Sequence, residues 1–348
     1  KGDPLFMETK VFTKDQLEEA ASLLKQGHLV AFPTETVYGL GADALNEEAV
    51  LKIFAAKGRP ADNPLIVHVK EAGDVEEIAH TNKEFYLLAE AFWPGPLTMV
   101  LPRKDVVPDV TTGGLDTVAV RCPKNAIALE LIKRTGRPLA APSANRSGRP
   151  SPTEAAHVLE DMNGIIAGVV DGGHTGLGLE STVLDLTSER PQILRPGGVT
   201  LEMLKGVLPN AESGKVAKGE KVKSPGLKYK HYAPKAPLYR VLGTPEEQFE
   251  LILDQIKNHP EKRIGVMSTE EFFARYPTDY KISLGSRSNP LEIATNLYSA
   301  LRYFDSLDVE FILSETISGE GLEVAINDRL NRASGGKTLE DFLKDIGS

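Results

Sequence analysis

Apolar residues at helical spacing open the chain. Leu17, Ala20, Ala21 and Leu24 form one stripe, Thr13 with Gln16 makes a capping box ahead of it, and Gly27 ends it. His28–Pro33 then reads as a buried strand, and Thr34–Ala44 as a loop at its end. Asn46 caps a second predicted helix whose inner face is Val50, Ile53 and Phe54. Lys57 continues that row, so the pattern points it from the last helical turn towards the interior, where the helix dipole favours a cation.

Leu65–Val69, Leu97–Leu101, Thr117–Arg121, Leu139–Ala141, Gly168–Asp171, Thr182–Leu186 and Gln192–Arg195 read as strands. Helices are predicted around Lys83–Phe92, Ala126–Arg134 and Pro152–Met162, the last from Ser151 at N-cap, Pro152 at N1 and Glu154 at N3. Many strands with few helices predict α+β packing on a curved mixed sheet. Residues 209–237 lose this periodicity and gather Lys, Gly, Ser and Pro, which reads as a linker. Beyond it, strands at Leu238–Leu242, Arg263–Met267, Lys281–Leu284 and Val309–Leu313 alternate with helices at Glu246–Lys257, Glu270–Tyr276, Leu291–Phe304 and Leu322–Ala333. That rhythm predicts a smaller α/β, Rossmann-like domain on a parallel sheet. The expected division is 1–208, a linker at 209–237, and 238–348.

Length and composition fit this picture. At 348 residues a two-domain chain is the natural expectation, and 41% apolar with 26% charged residues is ordinary for a globular protein. No apolar run approaches membrane-spanning length and no signal-peptide pattern opens the chain, so the cytoplasm is expected. The single cysteine, Cys122, excludes an intramolecular disulfide and a cysteine-built zinc site. A net charge of −9 weighs against broad nucleic-acid binding but leaves room for a local basic pocket. Lys1–Phe6, ahead of Met7, carries no functional signal.

Five features carry the candidate chemistry. Gly39-Leu-Gly-Ala-Asp-Ala44 satisfies the letters of a dinucleotide fingerprint, but the helix cap at Asn46 comes too late for it, so turn glycines are the better reading. Lys57-Gly-Arg59 is either a solvated charge pair or a phosphate site; Gly58 ends the helix, Lys57 faces inward, and Arg suits bidentate phosphate contact. Ser143 and Asn145 follow a strand, as an ordinary polar turn or, with a helix N-terminus near Ser151, as a phosphate cradle. His68 closes a strand among apolar neighbours, where a structural hydrogen-bonder is commoner than a catalyst and no metal-ligand spacing accompanies it. Arg121, at a strand end, suits a substrate carboxylate or an interdomain ion pair.

Phe32-Pro-Thr-Glu-Thr-Val-Tyr-Gly-Leu-Gly41, Lys57-Gly-Arg59, Asn63–His68, Ala141–Arg146, Glu180–Asp185 and Leu194–Gly197 occur in this order, and together they resemble the YrdC/Sua5 family of threonylcarbamoyladenylate synthases. Ser224–Pro234 resembles the linker of the two-domain form. The resemblance implies that L-threonine, bicarbonate or CO2, and ATP are converted to threonylcarbamoyl-adenylate and pyrophosphate, the first step of t6A formation on tRNA. It implies a Lys57, Arg59, Ser143, Asn145 catalytic tetrad, with ATP also meeting Asn63, Thr117, Ser151, Arg195 and Tyr232. Threonine is expected at Thr34, Thr36, His68, Arg121, Ala141 (through its backbone) and Ser181. Mg2+ is expected to arrive with ATP, with no protein ligand identifiable, and the product to pass to a tRNA threonylcarbamoyltransferase. Leu227 and Lys230 stand where the family would favour Met and Arg, and lysine cannot reproduce a bidentate grip.

Two other readings compete. A non-catalytic binder of structured RNA lacks an aromatic stacking signature here. A carbamoyltransferase resembling HypF would need cysteine-rich zinc fingers. The C-terminal domain shows no catalytic set.

Overall fold

The computed structural model describes residues 8–214, 222–225 and 231–347. They fall into two compact units, the described parts of Lys1–Ser147 with Ser151–Lys228, and of Gly148–Pro150 with Tyr229–Ser348. The strands of the first are β1 (Lys10–Phe12), β2 (Val30–Phe32), β3 (Gly39–Asp43), β4 (Ile66–His68), β5 (Leu97–Pro102), β6 (Thr117–Arg121), β7 (Leu139–Ala140), β8 (Gly168–Val170), β9 (Thr182–Asp185), β10 (Gln192–Arg195) and β11 (Glu212–Ser213). They form a mixed sheet in the order β1-β8-β2-β3-β7-β4-β6-β5-β9-β10-β11. Its helices are α1 (Leu17–Lys25), α2 (Glu47–Lys57), α3 (Lys83–Phe92), α4 (Asp109–Thr112), α5 (Ala126–Thr135), α6 (Ala155–Met162) and α7 (Leu201–Lys205).

Alternation along the strands decides what each face does. Val67, Met99, Leu101, Val118, Val120 and Leu184 point into the main core with Val50, Ile53 and Phe54 of α2 and Phe85 and Leu88 of α3. Helices α1 and α5 pack Leu17, Ala20, Ala21 and Leu24 against Ala128, Leu131 and Ile132 over Val30 and Phe32. The intervening positions Ile66, Val100, Ala119 and Val183 form a separate small apolar cluster.

Two expectations need correction. Residues 39–43 are a strand rather than a loop, and the glycines serve packing. A Cβ on Gly41 would stand 2.7 Å from the Phe32 ring and 2.9 Å from the Val30 carbonyl, because the ring lies across the neighbouring strand. Helix α6 begins at Ala155, with Glu154 as its N-cap, so the Ser-Pro-x-Glu signal marks the approach to the helix and not its first turn. By contrast, Asn46 caps α2 through its side chain, and Gly58 closes it in the left-handed conformation, as the spacing indicates.

The stretch read as a linker starts within the first unit. Glu212–Ser213 pairs in parallel with β10, Lys223 Nζ lies 3.1 Å from Asp185, and Ser224 is fully buried. A solvated tether would make none of these contacts.

The second unit contains β12 (Leu238–Val241), α8 (Pro245–Asn258), β13 (Ile264–Ser268), α9 (Glu270–Phe273), β14 (Lys281–Ser283), α10 (Pro290–Asp305), β15 (Phe311–Glu315), α11 (Leu322–Ala333) and α12 (Leu339–Ile346). Its four strands are all parallel, ordered β12-β15-β13-β14. The expected elements stop at Ala333, although Leu339, Phe342, Leu343 and Ile346 keep helical spacing, and Phe342 buries itself against Tyr239.

Candidate active site

The strand-borne candidates His68, Thr117, Arg121 and Arg195 share one face of the sheet. Strand pairing sets Ile66 beside Ala119 and His68 beside Arg121, Val100 beside Ala119, Pro102 beside Thr117, Thr98 beside Val183, and Val183 beside Arg195. Paired residues project to the same side. His68, Thr98, Thr117, Arg121 and Arg195 therefore rise from a floor of Ile66, Val100, Ala119 and Val183, opposite the main core. Asn63 precedes β4 on the side of Ile66, which pairs with Ala119, while Thr117 and Arg121 are about 13 Å apart along β6.

At the end of α2, Lys57 is 3% exposed, and its Nζ donates to the carbonyls of Ser143 (2.5 Å) and Asn145 (2.8 Å). Two of its three N–H donors are thus spent on the loop after β7. Burial pushes the Lys57 pKa well below the ordinary lysine value, and the Arg59 charge adds to the effect; Asp161 and Glu180 oppose it. A polyanion arriving here would favour the ammonium form. Arg59 lies with its guanidinium 5.4 Å from the Phe54 ring centre. Asn63 is fully buried, and neither atom of its amide has a hydrogen-bond partner among the described residues. An orphaned buried amide costs roughly 1–3 kcal/mol, which a ligand bonded to it would recover.

A second buried cation organises the other half of the site. Arg121 donates from Nε to the Gly95 carbonyl (3.3 Å), from Nη1 to Thr36 Oγ1 (3.0 Å) and from Nη2 to Glu35 Oε1. Thr34 Oγ1 donates to the Val37 carbonyl at 2.6 Å and lies 2.8 Å from Thr36 Oγ1. With the Thr34 proton committed to that carbonyl, Thr36 must be the donor between the two hydroxyls. Thr34 Oγ1 also accepts from the Thr36 and Val37 N–H groups at 3.1 and 3.2 Å, so its lone pairs are used within the loop, whereas Thr36 Oγ1 accepts from Arg121 and keeps one lone pair that suits an amine N–H. Ser181 Oγ sits 2.7 Å from Thr98 Oγ1 and accepts from Arg195 Nη2 at 3.2 Å, while Arg195 Nε donates to the Ser181 carbonyl.

This geometry has counterparts in known proteins. A family model for Sua5, YciO and YrdC proteins, described as "Telomere recombination", matches residues 22–197, and one described as "Threonylcarbamoyl-AMP synthase, C-terminal domain" matches 199–335. The threonylcarbamoyl-AMP synthase of Bacillus subtilis is 48% identical across 93% of this chain and 94% of its own length. That of Pyrococcus abyssi is 47% identical across 94% of this chain and 98% of its own. The chain belongs to the Sua5/YrdC family. The crystal structure of P. abyssi Sua5 complexed with L-threonine matches with a TM-score of 0.89 at 46% identity, over 95% of this chain and 99% of that one.

Against the expectations for a Sua5/YrdC protein, most residues fall into the two clusters just described, and some play narrower parts. Ser151 is fully buried and donates its hydroxyl to Glu180 Oε1, so its proton is committed within the protein and no helix N-terminus stands beside it. The Ala141 N–H is taken by the Ile66 carbonyl at 3.0 Å, which leaves only its own carbonyl for a ligand. Ser143 and Asn145 serve Lys57 through their main-chain oxygens, a role that a motif written in side chains does not convey. Tyr232 lies in the second unit, with φ of 62° and its ring centre 5.2 Å from that of Tyr298. Leu227 and Lys230 lie outside the described residues, as do Lys1–Met7. Cys122 is buried and its thiol is pushed up to about 12, so it stays a protonated core residue.

His68 is a neutral structural group. Its Nδ1 lies 3.1 Å from the Ile66 carbonyl, its ring meets Phe32 edge-on, and burial, then the Arg121 charge, lowers its pKa to about 3. It cannot exchange a proton near neutrality, so it acts by shape and hydrogen bonding. The linkage has a definite sign. Between pH 6.5 and about 3 the unfolded chain takes up a proton that the folded protein refuses, so stability falls as pH drops through that window. At about 1.4 kcal/mol per pH unit, the full loss amounts to about 5 kcal/mol. Thermal melts from pH 7 to pH 4 should therefore show a shallower acid-side decline for His68→Gln than for the native chain, and parallel curves would contradict this.

Sequence reasoning passed over three carboxylates: Glu35 on Arg121, Glu180 on Ser151, and Asp161, which accepts from the Arg146 N–H at 2.9 Å. Glu35 and Glu180 stand inside the motifs that carry the family resemblance. Their partners lie far along the chain, and no local spacing signals that pairing.

Proposed function

We propose that this chain is an L-threonylcarbamoyladenylate synthase, joining L-threonine, bicarbonate or CO2, and ATP into threonylcarbamoyl-adenylate with release of pyrophosphate. One observation carries the reading: two buried cation sites are stitched to a single segment. Leu40 N–H donates to the Pro142 carbonyl (2.7 Å) and Ala144 N–H to the Tyr38 carbonyl (2.9 Å), beside the Lys57 cluster. Thr36, in the same segment, accepts from Arg121. An amino acid held by its carboxylate at Arg121, with its amine towards Thr36, would then lie next to phosphates held at Lys57 and Arg59.

The chemistry asks little of acid–base groups. Threonine nitrogen, as the free amine, adds to CO2 and gives up one proton to water to form a carbamate, whose oxygen attacks the α-phosphorus while the bond to pyrophosphate breaks. The nucleophile is already anionic, so the protein contributes positioning and charge neutralisation. Lys57 and Arg59 neutralise phosphate oxygens, and Asn63 supplies an amide that has no other partner among the described residues. Mg2+ would supply further neutralisation. Among the described residues no three His, Cys, Asp or Glu side chains gather as a ligand set.

In this reading the product goes to a tRNA threonylcarbamoyltransferase for t6A formation, in the cytoplasm. Among the described residues no helix is long and apolar enough to cross a membrane. The deciding experiment incubates the protein with labelled bicarbonate, threonine and ATP and resolves the products by chromatography. A labelled adenylate that requires threonine is expected; label in no nucleotide product would end the proposal.

A further inference from the structure

Arg121 is nearly sealed, its side chain 4% exposed, and a buried guanidinium without a counter-charge costs several kcal/mol. The counter-charge comes from Glu35, a residue between the two threonines of the same loop. Glu35 is itself fixed at three points. Its Oε1 accepts from Arg121 Nη2, its Oε2 accepts from the Lys124 N–H at 2.7 Å, and its main-chain carbonyl accepts from the Leu177 N–H at 2.8 Å. Gly178 N–H donates to the Thr36 carbonyl at 3.1 Å, so the next residue is pinned to the same loop.

The donor inventory shows what this achieves. Gly95, Thr36 and Glu35 take three of the five guanidinium N–H groups, one on each nitrogen. The two that remain are one on Nη1 and one on Nη2, so each terminal nitrogen keeps one donor for an anion. Rotation of the guanidinium would disrupt all three existing bonds, so the vacant pair has a set direction.

We propose that Glu35 is a positioning residue for substrate carboxylate recognition, holding the Arg121 fork so that its two outer N–H groups meet the α-carboxylate of the amino acid. This deepens the threonine assignment above and rests on it. Glu35 does not touch the reacting atoms. Its carboxylate serves two donors at once, and an amide of the same size cannot, because its NH2 would face either Arg121 Nη2 or the Lys124 N–H.

The test measures binding by calorimetry for L-threonine, for L-threoninamide, which lacks the carboxylate, and for ATP. For Glu35→Gln, threonine affinity should fall at least tenfold, threoninamide affinity should hold within about twofold, and ATP affinity should be unchanged, which also reports an intact fold. A merely structural role would weaken threonine and threoninamide in parallel, and that result, or an unchanged threonine affinity, overturns the proposal. Should Glu35→Gln not fold, Glu35→Asp, which retracts the charge by one methylene, takes its place: loss confined to threonine supports the proposal, and parallel loss or no loss overturns it. If the native protein itself binds no threonine, the functional reading fails first; if it does and the variant matches it, only this inference falls.

Discussion

Lys57→Met is expected to lower threonine-dependent pyrophosphate release by 10²-fold or more while the fold persists. The rate estimate follows from losing a cation that meets developing charge in a water-poor site, worth about 3–4 kcal/mol at tenfold per 1.36 kcal/mol. Persistence of the fold follows from two opposing contributions. The variant deprives the Ser143 and Asn145 carbonyls of their donor, at about 1–3 kcal/mol each. It also removes an ammonium whose burial costs several kcal/mol, the cost that depresses its pKa. Methionine keeps the length of the stem, so no large cavity opens. Steady-state turnover beside a thermal melt checks both halves. Turnover within tenfold of native would remove Lys57 from the chemistry.

Arg121→Lys is expected to weaken L-threonine binding about 100-fold and leave ATP binding nearly unchanged. Lysine retains the charge but replaces a rigid fork with a point donor that cannot reach Gly95, Thr36, Glu35 and a ligand together. Losing one of two charge-assisted bonds to a carboxylate costs about 1.5–3 kcal/mol, and losing the set direction adds to it. Titration calorimetry with each substrate separates the two sites. A threonine affinity within threefold of native would show that charge alone suffices there, and equal losses for both ligands would show a general structural defect in place of a carboxylate-specific one.

Much of this is legible from residue order. Asn46 and Gly58 bracket α2, and the row Val50, Ile53, Phe54, Lys57 turns a lysine inward before any contact is known. The βαβ rhythm after residue 237 yields four parallel strands. The motifs are dense enough to indicate the family, and with it the tetrad. The misreadings share one cause. Gly39 and Gly41 resemble turn glycines because the groups that crowd a Cβ there, the Ala141 side chain at Gly39 and the Phe32 ring at Gly41, belong to other segments of the chain. The polar stretch ahead of Tyr232 resembles a tether because the β10 edge and Asp185 that bind its first part precede it in the chain.

Side-chain chemistry and helical period are local properties, so the chain alone determined its helices, its two-domain order and the pool of groups able to bind anions. Which atoms of those groups face a ligand was decided by tertiary packing. Ser143 and Asn145 offer Lys57 their carbonyls, Ser151 spends its proton on Glu180, and Glu35 reaches across to Arg121. A hydrogen bond depends on distance and direction in space, and residues 86 positions apart acquire those only when the sheet brings their strands and loops together.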